Sequence, residues 1–400
     1  MHTLDKIVLY VFLLLLGNLS FLSAQSIQKQ IVPGAERMVF IKATIKNKHI
    51  ALVANQTSVV GSTNLVDTLL ALGGDIKKIF CPEHGFRGKE DAGERVKSGK
   101  DLRTGIPIIS LYGKKFKPSA ADMAGIDIVI YDLQDVGVRI YTYISTLTYV
   151  MQACAENFVP LFILDRPNPN GFYVDGPILE MKYKSFVGMH PIPLVYGMTV
   201  GELANMINEE GWLPNQLRCS IGVIPCQNYT HKSIYTLPVS PSPNLRNMKA
   251  VYLYPSLGLF EGTVINVGRG TEFPFQVFGH PSLKDAPFTY TPENMKGASL
   301  NPLHHGKLCY GVDLRNLSEE DLVSNPKINL EYLLFAYQHF PEKEKFFITN
   351  SFFENLAGTS TLRAQVKAGL TADEIRQSWQ PALVKFKELR KKYLLYSDFE

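Results

Sequence analysis

The chain is 400 residues long, 46% hydrophobic and 20% charged, with a formal net charge of +4 at pH 7. That length exceeds one compact core and predicts two domains, and the composition is that of a globular protein. The charge is spread without a basic block, which argues against nucleic acid as a partner.

Lys6 and the free amine precede an almost unbroken apolar run, Ile7–Leu16, followed by Asn18 and by Ser23-Ala24-Gln25. These are the parts of a secretory signal peptide, residues 1–24, cut after Ala24. The run is short for a membrane span, so no stable membrane insertion is expected after cleavage. The mature protein is therefore expected to be exported, periplasmic or secreted. Five scattered cysteines fit no zinc spacing. Cys154 and Cys309 read as core residues, and only Cys219 and Cys226 lie close enough in sequence to suggest a disulfide.

His49–Ala54 reads as a first buried strand, ending at Asn55-Gln56-Thr57. Leu65, Val66, Leu69, Leu70 and Leu72 recur at helical spacing, and Gly73-Gly74 ends that helix. Ile76–Phe80, Ile106–Leu111 and Ile126–Tyr131 are strands two to four; after a helical pattern through Leu147, Val150, Met151 and Ala155, Pro160–Leu164 is strand five. Strands apolar on both faces and alternating with helices predict an α/β fold: a Rossmann-like parallel sheet with helices on both faces. Thr199-Val-Gly-Glu202 is a capping box, so Glu202 reads as a helix cap. Residues 211–255 are rich in Pro and Asn and give no clear element. Beyond Phe260 come a Gly-rich stretch and helix starts at Ser318–Asp321 and Thr371–Glu374. Ile375, Trp379, Leu383, Phe386 and Leu389 fall on one helix face, with Pro381 predicted to kink or split the helix. This half is predicted as a smaller α+β C-terminal domain, which gives domains at 28–255 and 256–400.

Chemistry concentrates in Phe80-Cys81-Pro82-Glu83-His84-Gly85-Phe86-Arg87-Gly88, just past strand two. Pro82 stops the sheet ladder because it has no N–H, and the glycines let the backbone turn. Ligands bind at the carboxyl ends of strands in parallel α/β sheets. Strand one delivers Asn55 there, strand four Asp132, Gln134, Asp135 and Arg139, and strand five Asp165, Arg166, Asn168 and Asn170. Any one of these residues is as readily a turn or cap; together they suggest one polar pocket.

The sequence holds no nucleotide fingerprint, serine elbow or paired metal-ligand spacing, so neither cofactor nor metal is expected. Carboxylates beside Tyr112, Tyr141, Tyr143 and Phe86 suit sugar hydrolysis, and the arginines suit an anionic substituent.

The motifs resemble the exo-β-N-acetylmuramidase family of glycoside hydrolases. They include Pro82–Gly88, Asp91-Ala-Gly-Glu94, Asp132–Gly137 through Arg139, Tyr141-Thr-Tyr143, Leu164–Asn170, Ser242-Pro-Asn244, Phe260–Thr263, Val267–Thr271 and Ser378–Pro381. The resemblance covers nearly everything after residue 40. It implies an exported enzyme releasing β-1,4-linked N-acetylmuramic acid from non-reducing ends of peptidoglycan-derived fragments, with a pocket between the two domains.

Glu83 is assigned as general acid and Asp135 as the second carboxylate, which would orient the substrate's own acetamido group if that group is the nucleophile. Asn55, His84, Arg87, Arg139, Tyr143, Arg166, Asn168, Glu261 and Arg269 are assigned to substrate binding. Two other readings stay open: a metal-dependent amidase or deacetylase using Glu83, His84 and an Asp, and a non-catalytic muropeptide-binding protein.

Overall fold

Six parallel strands build the central sheet: β1 (His49–Ala54), β2 (Asp75–Cys81), β3 (Pro107–Ser110), β4 (Ile128–Asp132), β5 (Leu161–Leu164) and β6 (Ile221–Ile224). Their spatial order is β3-β2-β1-β4-β5-β6, and a two-residue strand, Gly99–Lys100, pairs antiparallel against β3. The computed structural model describes residues 29–86 and 98–400. The expected signal peptide, Arg87 and the Asp91–Glu94 motif lie outside the described residues. Among the described residues, no helix is long and apolar enough to cross a membrane.

The alternation of side chains along β1 explains both the sheet and its two covers. Ile50, Leu52 and Ala54 join one apolar cluster with Ile41 and Ile45 of α1 (Met38–Ile45) and Leu65 and Leu69 of α2 (Leu65–Ala71). Ala51 and Val53 face the other cluster, with Leu147, Val150 and Met151 of α3 (Tyr143–Glu156) and Leu203 and Ile207 of α4 (Val200–Glu209). The first strands in the chain run outward on one side of β1, and β4 starts the other side. Strand order thus reverses between β1 and β4, where a crevice opens at the strands' carboxyl ends.

The sequence pattern misses β6. Gly222 interrupts its apolar run because a Cβ there would lie 2.7 Å from the Phe162 ring. α5 (Met248–Leu257) also falls within the stretch that gave no clear element, and it carries Pro255 inside the helix. Beyond it, β7 (Val277–His280), β8 (Phe288–Tyr290) and β9 (Cys309–Asp313) form an antiparallel sheet in the order β7-β9-β8. Helices follow, ending in α6 (Ala372–Lys391).

α6 buries Ile375, Trp379, Leu383 and Phe386 as its spacing predicts, and it runs unbroken through Pro381. Pro381 is exposed, so water can satisfy the carbonyl that its missing N–H leaves. The split expected from the sequence is therefore absent. After α6 the tail returns to the sheet. Tyr396 Oη donates to Asp165 Oδ2 at 2.6 Å, and Leu395 N–H donates to Glu202 Oε1 at 2.8 Å. Glu202 also completes its capping box and faces His231, so its work is structural.

All five cysteines are free and buried. Cys219 and Cys226 lie beyond opposite ends of β6 (Ile221–Ile224), whose extended backbone alone spans roughly 10 Å, past disulfide reach. That expected pairing is withdrawn.

Candidate active site

Past β2, Gly85 N–H donates to Pro82 O at 3.1 Å, closing a tight turn that carries Glu83 and His84. His84 has φ of +67°, a left-handed conformation uncommon outside glycine, and Gly85 follows at +73°. Such strain costs on the order of 1–3 kcal/mol and persists where surrounding structure enforces it, often at functional sites.

Two hydroxyl groups fix the Glu83 carboxylate. Thr142 is the N-cap residue of α3, but its side chain makes no cap bond; instead Thr142 Oγ1 donates to Glu83 Oε2 at 3.0 Å. Tyr112, from the loop after β3, hydrogen-bonds the same carboxylate. Burial, then the charge of Glu83, holds the Tyr112 hydroxyl well above the usual tyrosine range, so it remains a donor.

The second half of the chain faces this turn with an ion pair. Arg269 Nε and Nη2 donate to Glu261 Oε1 at 2.9 and 2.5 Å. Burial alone would lower the Arg269 pKa; the Glu261 carboxylate outweighs it and holds the guanidinium above its ordinary value. Glu83 adds to that effect. The third nitrogen, Nη1, is buried and has no hydrogen-bond partner among the described residues.

Glu83, His84, Glu261 and Arg269 line one cavity of about 430 Å³. Its deep wall is aromatic: Tyr141 and Tyr143 sit 4.6 Å apart between centroids, and Tyr254 and Phe275 5.0 Å apart. Half-buried Tyr112 and Phe186 form another wall, 5.8 Å apart. Aromatic faces with carboxylates between them suit a sugar ring.

The other assigned residues lie elsewhere. Asn55 stands behind the cavity, donating from Nδ2 to Tyr143 Oη at 2.8 Å. Arg139 is fully buried and donates to the carbonyls of Pro177, Ile192 and Leu356, tying two loops to the helix Phe352–Ala357. Burial without a carboxylate partner pushes its guanidinium down to about 9. Arg166 grips Asp132 with two nitrogens, at 2.5 and 2.9 Å, and Asn168 holds the backbone of Met198 and Asn170. Phe86 is a core residue rather than a platform.

Asp135 is also outside the cavity lining, 3% exposed, with Oδ2 accepting from Tyr196 Oη and from Gly137 N–H at 2.6 Å. Within the cavity the second carboxylate is Glu261, not the expected Asp135. Sequence reasoning also missed Thr142, Asn244, Tyr254 and Asn301 as lining residues. Thr142 had a signal, since Tyr141 and Tyr143 on either side of it had been singled out.

Burial pushes Asp135 up to about 6, against opposing hydrogen bonds from Tyr196, Gly137 and Val136. A carboxyl group with a raised folded-state pKa stabilises the fold at low pH and loses that contribution as pH rises through about 6. Asp135→Asn, neutral at every pH, should therefore gain about 2–3 kcal/mol relative to wild type between pH 4 and pH 8. Denaturant unfolding at the two pH values checks this. A parallel pH dependence of the two proteins would contradict it.

Known proteins resemble the chain over most of its length. Two family models match: exo-beta-N-acetylmuramidase NamZ, N-terminal, over residues 50–249, and its C-terminal counterpart over 252–396. Peptidoglycan beta-N-acetylmuramidase NamZ of Bacillus subtilis (strain 168) is 39% identical over 372 residues, spanning 89% of this chain and 88% of that protein. Two crystal structures of DUF1343 family proteins from Bacteroides fragilis superpose with TM-scores of 0.86 and 0.78, at 49% and 26% identity. Each covers 92% of this chain and 99% of its own.

Proposed function

The chain belongs to the exo-beta-N-acetylmuramidase NamZ family of glycosidases, and from that premise we propose that it releases terminal β-1,4-linked N-acetylmuramic acid from peptidoglycan fragments, with Glu83 as general acid. The observation that carries this is the pairing in one cavity of two differently held carboxylates. Glu83 is held by hydroxyl groups and Glu261 by a guanidinium.

In this mechanism Glu83 gives a proton to the glycosidic oxygen as the C1–O bond breaks, so the leaving sugar departs as an alcohol. Positive charge develops at C1 and the ring oxygen. Glu261, paired with Arg269, supplies the opposing negative charge. Water, or first the substrate's own acetamido oxygen, completes the bond at C1, and Glu83 then accepts a proton and resets. Arg269 Nη1 answers the lactyl carboxylate that distinguishes N-acetylmuramic acid from N-acetylglucosamine. Residues 28–255 would thus supply the acid and 256–400 the ion pair, in a protein exported through its first 24 residues.

An aryl β-N-acetylmuramide should be hydrolysed at least 100-fold faster than the matching N-acetylglucosaminide, with or without chelator. Equal rates would remove the role given to Arg269. Loss of activity on chelation would favour a metal-dependent amidase or deacetylase.

A further inference from the structure

Asn244 lines the same cavity and is 2% exposed. Its backbone is pinned by Ser242, whose Oγ accepts the N–H groups of Asn244 and Leu245 at 3.2 Å each. The side chain is oriented as well: Nδ2 donates to the carbonyl of Ala298 at 2.8 Å. The flipped amide would set oxygen against oxygen, so Oδ1 is fixed as the other end. That oxygen is buried and has no hydrogen-bond partner among the described residues. Buried polar atoms in folded proteins are nearly always paired, and an exception in the lining of a binding cavity calls for a donor that the protein itself does not supply.

Two residues of the cavity lining thus each carry an unmatched buried atom, of opposite sense: a donor on Arg269 and an acceptor on Asn244. N-acetylmuramic acid carries two substituents of opposite sense on adjacent carbons, an acetamido N–H at C2 and a lactyl carboxylate at C3. We propose that Asn244 Oδ1 accepts the acetamido N–H, which makes Asn244 the residue that selects an amide at C2. The assignment rests on the substrate reading given above. Through Ala298 it also ties the subsite to the neighbouring turn, whose Ser299 and Asn301 line the same cavity.

The test compares binding of N-acetylmuramic acid with its 2-acetoxy ester analogue, which keeps the shape and lacks the N–H. Wild type should prefer the amide by about 10- to 100-fold. Asn244→Ala should bind both with nearly equal affinity; Asn244→Leu, which fills the volume without a polar atom, is the second variant. The amide proton of wild-type-bound ligand should also move downfield in proton NMR, a readout that needs no variant to fold. The assignment is overturned if wild type shows no preference, or if the variants keep it. Failure of wild type to bind either sugar would overturn the substrate reading itself.

Discussion

Replacing Glu83 by Gln should lower kcat on a disaccharide substrate by about 10²–10⁴-fold, the usual contribution of a positioned general acid. Gln keeps the size of Glu and an oxygen for the Thr142 hydroxyl, which donates to Oε2 at 3.0 Å in wild type, so the turn at 82–85 should survive. The loss should be much smaller on an aryl glycoside with an acidic phenol, because a phenolate leaves without a proton. This dependence on the leaving group separates a proton donor from a residue that only binds sugar. Equal losses on both substrates, or near-normal turnover of the disaccharide, would take the acid role away from Glu83.

The second large effect concerns stability. Arg166 and Asp132 are 2% and 0% exposed, and Arg166 also donates to Val59 O at 2.9 Å. Burial alone would lower the Arg166 pKa, but the Asp132 charge outweighs it; burial in turn raises the Asp132 pKa, opposed by the two hydrogen bonds and the charge of Arg166. Arg166→Ala leaves a buried carboxylate without its partner, which costs about 3–5 kcal/mol. Set against the ~5–15 kcal/mol that holds a typical domain together, that is a large fraction. An Arg166→Met/Asp132→Leu double variant should recover much of it, since removing both charges removes the uncompensated one. Denaturant unfolding measures both effects. A single variant of wild-type stability with a raised KM would return Arg166 to substrate binding.

Arg166 also shows where the sequence stops informing. Its strand end was legible because β5 is a short apolar run, and a polar residue just past a strand in a parallel sheet lies near the ligand-binding edge. Depth at that edge is not written in the residue type. Asp132, Asp135, Arg139, Arg166 and Asn168 fall on the inner side, where they brace loops and satisfy buried carbonyls. Glu83 and His84 fall on the open side, because a turn with two successive left-handed residues carries them there. The glycine of that turn was visible in the sequence, and so was its role.

The other wall of the cavity was harder to read. Asn244, Tyr254, Ser299, Asn301 and Phe352 come from four separate segments that only tertiary packing brings together. Glu261 and Arg269 are assigned to the site only through the family resemblance, and in the structure they pair with each other and line the cavity. β6 escaped for a local reason, as the glycine that makes room for Phe162 also erases the strand's signature.

The most direct measurement incubates the protein with two disaccharides, N-acetylmuramic acid β-1,4-linked to N-acetylglucosamine and the same sugars in reverse order, and follows free N-acetylmuramic acid by mass spectrometry. A cavity that recognises the muramic unit at the non-reducing end should release it from the first and leave the second intact. No release from the first, or equal cleavage of both, would contradict the account.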